Sequence, residues 1–240
     1  MEELNQLSKK ERREIRRQEK EEVRGALKKS KGLFRTLLWL GVVVILGGAI
    51  WGLVKLNKAG PALSLTNEVV ASDWVKGNRE SKVILVEYGD FQCPACKSYF
   101  PIVKQLAQEY GDRMQFVYRH YPLPQHYNAK PSAYAAEAAG KQGKFWEMHD
   151  KIYENQDAWA AGSGKEIFEN YASQLGLNMD QYKADRDSEA VKEKVNLDYK
   201  SGVQAGIRGT PTFFLNGTQI QPGNLTEFKS LIEDAITKNP

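Results

Sequence analysis

Between Thr36 and Val54 the sequence TLLWLGVVVILGGAIWGLV runs for 19 residues without a charged side chain. No other stretch constrains the chain as much. A helix of that length, rising about 1.5 Å per residue, nearly matches a hydrocarbon core of about 30 Å. Trp39 and Trp51 lie near its two ends, where indoles favour the membrane interface, and Arg35 can snorkel to a headgroup layer. A cleaved signal peptide is the competing reading, and Ala59-Gly-Pro-Ala62 supplies small residues for it. The run is longer than the roughly 7–15-residue apolar core of such peptides, and a long charged segment precedes it. The expectation is an uncleaved, single-pass anchor over 33–56 in the cell membrane. It separates a charged tail (1–32) from a linker (57–66) and a folded domain (67–240).

Charge supplies the orientation. Residues 1–31 hold 11 Lys/Arg and 7 Glu, an excess of positive charge that predicts a cytoplasmic N-terminus, weakly opposed by Lys55 and Lys58. The tail's apolar positions, among them Leu4, Ile15 and Val23, are too sparse for a core, so it reads as a solvated segment touching the anionic face of the lipid bilayer. From Pro61 onward there are 20 basic and 23 acidic residues. The basic pI therefore describes the tail, and nucleic acid is not expected as a partner. The domain lies outside the cytoplasm in this arrangement, where disulfides persist.

The only two cysteines, Cys93 and Cys96, sit two residues apart in GDFQCPACKSYFP, directly after the apolar run Val83–Tyr88. As half a zinc site they would need two further Cys or His ligands. No other cysteine exists, and His120, His126 and His149 lack a paired spacing. A redox pair needs only a thiol of lowered pKa and a second thiol near enough to resolve a mixed disulfide. The local pattern supplies both. A strand ends near Tyr88, a loop follows, and Pro94 suits the first turn of a helix from about Cys93 to Tyr110. Cys93 then meets unpaired backbone N–H groups and the positive end of the helix, while Cys96 lies one turn deeper. This assigns Cys93 as an exposed nucleophile and Cys96 as its shielded resolving thiol, with no metal and no cofactor.

Elsewhere, Pro101 falls inside that helix and is expected to bend it. Met114–His120 alternates as a second strand, Ala129 to about Gly206 is helix-rich, and Thr212–Leu215 and Thr218–Gln221 flank Asn216-Gly217 as a hairpin. A last helix starts at Asn224, capped with Glu227 three residues on, and carries the stripe Phe228, Leu231, Ile232, Ala235, Ile236. The order implies an α/β fold, a βαβ unit joined to a ββα unit in one mixed sheet with helices on both faces. GSGKE at Gly162–Glu166 lacks the residues of a phosphate loop.

The strand–loop–CPAC–helix unit, the later IRGTPTFFLNG, and the stretches VEYGDFQCPAC, FVYRHYPL and QGKFWEMHDKIYENQ together resemble the thioredoxin superfamily. The resemblance is to the DsbA-like thiol–disulfide oxidoreductases, including membrane-tethered bacterial forms. It covers roughly residues 67–240 and implies a thioredoxin fold with a helical insertion at about 129–206. It implies that Pro211 is a cis-proline lying against the cysteine pair, and that Thr210 offers its backbone to an extended substrate. It also implies that Glu87 is a buried acid able to exchange a proton with Cys96. The implied partners are exported proteins with free thiols or disulfides, and a membrane redox partner that reoxidises the pair. One departure is visible: Pro94-Ala95 stands between the cysteines where the strongest oxidants of the branch have Pro-His.

Overall fold

The computed structural model describes residues 20, 39–41, 47–48 and 66–239. Nearly all of the tail, of the expected anchor and of the linker lies outside the described residues. Among the described residues, no helix is long and apolar enough to cross a membrane.

Five strands form one sheet in the order β1-β3-β2-β4-β5. They are β1 (Trp74–Gly77), β2 (Ile84–Gly89), β3 (Gln115–His120), β4 (Thr212–Leu215) and β5 (Thr218–Ile220). β2 and β3 run parallel, joined by α1 (Pro94–Glu109), and the other three pairings are antiparallel. The expected mixed sheet is therefore present, with β1 as an added edge strand. Pro101 lies inside α1, which continues to Glu109.

β3 was expected to alternate, but all six of its residues are buried. The reason is its place between β1 and β2 with both faces covered. Phe116 and Tyr118 enter one apolar cluster with Leu85, Phe213 and the α1 residues Val103 and Leu106. Val117 enters the other with Val86, Tyr88 and Phe214. Arg119, fully buried, is tolerated because its guanidinium grips both Asp73 carboxylate oxygens (3.1 and 2.7 Å) and donates to Tyr88 Oη and the Glu68 carbonyl.

Six helices make the insertion: α2 (Ala129–Gly140), α3 (Phe145–Glu154), α4 (Gln156–Trp159), α5 (Lys165–Gln174), α6 (Met179–Asp187) and α7 (Glu189–Gln204). The β4–β5 hairpin turns through Asn216 and Gly217, both at positive φ (48° and 80°), as a tight primed turn requires. Its Asn216 also exchanges two hydrogen bonds with Ile84, one through the side chain. α8 (Leu225–Lys238) is capped by Asn224 Oδ1, which accepts from Glu227 N. It buries Phe228, Ile232 and Ala235, whereas Leu231, at the edge of the expected stripe, is 37 % exposed.

Candidate functional site

β2 aims successive side chains at opposite faces, so Glu87 shares a face with Leu85 and lies beneath α1. Its neighbours across the sheet are Tyr118 and Phe213. Past Gly89 the chain turns through Asp90, and Cys93 becomes the N-cap of α1, with Pro94 in the first turn. Asp90 fixes this turn: one carboxylate oxygen accepts from Gln92 N (2.8 Å), the other from Leu123 N (2.9 Å) and the His126 ring (2.7 Å). Asp90 thereby ties the loop before the cysteines to the loop after β3.

Amide side chains tie the same turn to the insertion. Gln156 of α4 donates to the carbonyls of Phe91 (2.6 Å) and Cys93 (3.1 Å). Gln92 donates to the Ala160 carbonyl and accepts from Asn128 N, while Asn128 donates to the carbonyls of Trp159 and Gly162. These amides were not singled out in the sequence. Nothing in their spacing marks them, because their partners lie up to 68 residues away.

Cys93 Sγ lies 3.3 Å from the Thr210 carbonyl oxygen, which accepts from the thiol. The Thr210–Pro211 bond is cis. Glu87, Cys93, Cys96, Thr210 and Pro211 are thus gathered from three segments of sequence. One expectation needs correction: Cys93 was expected to be exposed and keeps only 7 % of its surface, because the Thr210–Pro211 loop lies against it. It is still more accessible than Cys96, which keeps none.

The electrostatics separate the two thiols. A hydrogen bond from the Cys96 thiol is the chief cause that brings Cys93 down to about 5, against a burial that would raise it. The Thr210 side chain and the backbone N–H groups of Cys96 and Ala95 add to the lowering. A thiolate can no longer donate to the Thr210 carbonyl. The Thr210 hydroxyl, buried and without another partner among the described residues, is the group that can donate to it instead. At pH 7, two units above that value, thiolate exceeds thiol about a hundredfold. Burial pushes Cys96 well above its ordinary value, reinforced by its bond to Cys93. Burial also raises Glu87 to about 8, with the Cys93 thiolate adding to the effect. The reduced site therefore consists of a thiolate, a thiol that donates to it, and a protonated acid beneath them.

A second polar cluster lies apart from these residues. His120, Glu137 and Asp198 bring ligand atoms within 4.8 Å of one another, all buried, a spacing a metal could use. His120 Nε2, Glu137 Oε1 and both Asp198 oxygens already have protein partners. Glu137 Oε1 meets His120 Nε2 at 2.9 Å and accepts from Trp74 Nε1 at 2.8 Å. Lys194 Nζ donates to both Asp198 oxygens at 2.7 and 2.6 Å, and His120 N donates to Asp198. Burial alone would lower Lys194; Asp198 and Glu137 hold it above its ordinary value instead. A fixed ammonium supplies the positive charge there, so the donor set does not fit a metal. His126 is a loop tie, and His149 packs against Phe91, Tyr118, Trp146 and Tyr153.

A family model described as Thioredoxin matches residues 70–234. Among curated proteins, the Na(+)/H(+) antiporter NhaA of Herminiimonas arsenicoxydans is 37 % identical over 149 residues, which take in 62 % of this chain and 23 % of that protein. NhaA 3 of Salinispora tropica is 38 % identical over 166 residues, 68 % of this chain and 25 % of that protein. The chain spans about a quarter of the length of these curated relatives. Among solved structures, a thioredoxin-like oxidoreductase from Silicibacter pomeroyi superposes with a TM-score of 0.63 at 23 % identity, covering 75 % of this chain and 100 % of that one. Oxidised BdbD from Bacillus subtilis gives 0.63 at 23 %, covering 74 % and 100 %. At such identities the likeness is one of fold.

Proposed function

The chain belongs to the thioredoxin family and has the DsbA-like form of its fold, and on that footing we propose that it is a membrane-anchored, extracytoplasmic thiol–disulfide oxidoreductase that forms disulfides in exported proteins. The observation that carries the reading is the split between the two sulfurs: Cys93 lowered to about 5 at the helix N-cap, and Cys96 raised out of reach of solvent. A stabilised thiolate makes Cys93 a good leaving group and favours the reduced pair, which is the condition for an oxidant.

In the forward reaction a substrate thiolate attacks Cys93 Sγ of the Cys93–Cys96 disulfide. The sulfur–sulfur bond breaks, and Cys96 leaves as a thiolate that takes a proton from Glu87. A second substrate thiolate then attacks the substrate sulfur of the mixed disulfide. This forms the substrate disulfide and releases the Cys93 thiolate. A membrane redox partner removes the two electrons to restore the pair. The substrate chain docks beside Thr210 and Pro211, where an open groove of about 470 Å³ runs past Gly206, Arg208 and Gln219. The uncharged run at Thr36–Val54 supports the anchor, and the basic tail supports its orientation. Antiport belongs to relatives of which this chain matches only about a quarter, and we do not extend it to this chain.

The test is reactivation of reduced ribonuclease by the purified full-length protein, with its reduction potential measured against glutathione. Turnover that vanishes in Cys93→Ala, with a potential well above the roughly −270 mV of thioredoxin, supports the oxidase. A potential near that value makes the protein a reductase on the same scaffold. Turnover that survives Cys93→Ala makes it a binding module.

A further inference from the structure

Glu87 must exchange its proton with solvent, yet it is 3 % exposed. The need follows from its charge environment. While Cys93 is a thiolate, its negative charge helps keep Glu87 protonated. Once Cys93 is tied up in a mixed disulfide that charge is gone while burial, the larger cause, remains, so Glu87 gives up its proton more readily and can serve as a base for Cys96.

A small void of about 10 Å³ adjoins Glu87, lined also by His149, Asp150, Lys104, Lys76 and Trp146. That is about the space of one water. The His149 ring, 4 % exposed, donates through Nδ1 to the Asp150 carboxylate at 2.9 Å, and its Nε2 is buried with no hydrogen-bond partner among the described residues. Asp150 reaches the surface with 20 % of its side chain exposed, between Lys104 (3.2 Å) and Lys76 (3.9 Å). Buried polar atoms are nearly always satisfied, so an imidazole nitrogen left without a protein partner beside a buried acid points to a bridging water.

Resting on the reading of Glu87 above, we propose that His149 is a positioning residue that carries the Glu87 proton, through one water in this void, to Asp150 and the solvent. Proton entry at Nε2 and exit at Nδ1 needs a neutral ring. Burial lowers His149, outweighing the support of Asp150, and so keeps it neutral. The titratable groups facing the ring are Glu87 from β2, Tyr118 and His120 from β3, Lys76 from β1, Lys104 from α1, and Asp150 and Tyr153 from its own helix.

The step can be timed with glutathione disulfide. The Cys93 thiolate of the reduced full-length protein attacks it, giving Cys93–glutathione and one glutathione thiolate. Glu87 sheds a proton through His149 and then takes the Cys96 proton. The Cys96 thiolate attacks Cys93 Sγ and expels the second glutathione thiolate. The balance is one protein disulfide, two glutathione thiolates and one proton released. Quenched-flow mass spectrometry reads the decay of the mixed disulfide.

Glu87→Gln and His149→Phe are each expected to slow that decay by about tenfold or more, and Asp150→Asn, with the ring untouched, by about threefold. The double variant E87Q/H149F should be no slower than E87Q alone, because His149 acts only through Glu87. A merely structural effect of His149 would multiply with that of E87Q. A normal rate in H149F beside a slow E87Q, or a multiplied effect in the double variant, overturns the relay and leaves the role of Glu87 standing. A normal rate in E87Q removes that role and the relay with it. If H149F does not fold, the same comparison with D150N decides.

Discussion

Replacing Glu87 by Gln should make the reduced protein more stable at neutral pH, by an amount that grows with pH. Glu87 sits in β2 with its carboxyl raised from 4.5 to about 8, chiefly by burial. Its folded value lies above its unfolded one. Folding therefore favours the protonated form, and the resulting contribution is complete below pH 4.5 and lost as pH rises through 8. At pH 7 the unfolded carboxyl is ionised while the folded one is protonated. The 2.5 units above 4.5 correspond to about 3 kcal/mol of stability given up. Above pH 8 the loss reaches about 5 kcal/mol. Gln has nearly the shape of the protonated acid and never ionises. The coupling of Glu87 to the Cys93 thiolate is already contained in the value of about 8. Urea unfolding under reductant at pH 4.5, 7 and 8 should show E87Q equal to the parent at the first value. At pH 7 it should be ahead by about 3 kcal/mol, roughly 1–2 M in midpoint. A difference that stays constant across this range would show that Glu87 is ionised in the folded protein, and the argument from burial would fail.

Three further outcomes follow from the same geometry. Cys96→Ala removes the chief cause of the low Cys93 value. A hydrogen bond to a charged group is worth about 1.5–3 kcal/mol, so thiolate absorbance should place Cys93 about one to two units higher. An unmoved titration would credit the helix N-terminus alone. Lys194→Met strands the buried Asp198 and should cost about 3–5 kcal/mol in urea unfolding, with much of that recovered in K194M/D198L. A loss under 1 kcal/mol would mean that the pair is solvated. Gln156→Ala leaves the Phe91 carbonyl unpaired and the Cys93 carbonyl with Lys97 N alone; it should cost about 1–3 kcal/mol and change the alkylation rate of Cys93. Unchanged stability would mean that water replaces the amide.

The cysteine site was legible because its signals are local. Strand, loop, N-cap and Pro94 follow one another within 11 residues, and the Asn216-Gly217 turn carries its own chemistry. β1 was missed because Trp74–Gly77 is four residues long, only partly buried, and shows no alternation. The central place of β3 was missed for a related reason, since β1 is what covers its free edge. The His120–Glu137–Asp198–Lys194 cluster and the Gln92, Asn128 and Gln156 ties could not be read at all. Their members meet only after the insertion folds back on the sheet, and a glutamine that holds an active loop looks in sequence like any surface glutamine. His149 stood out in the sequence only as a histidine without a paired ligand spacing; the unpartnered nitrogen that gives it a use appears only in three dimensions.

The hydrogen bonds from Gln156 to Phe91 and Cys93, and those of Gln92 with Asn128 and Ala160, mean that CPAC is not a portable cassette. Grafted into a relative with a different insertion, the four residues would arrive without the struts that hold their loop. The chimera would inherit the letters of the motif and not its reactivity. Conversely, drift within the insertion, far from either sulfur in sequence, is a route by which descendants of this chain could retune their chemistry while keeping both cysteines.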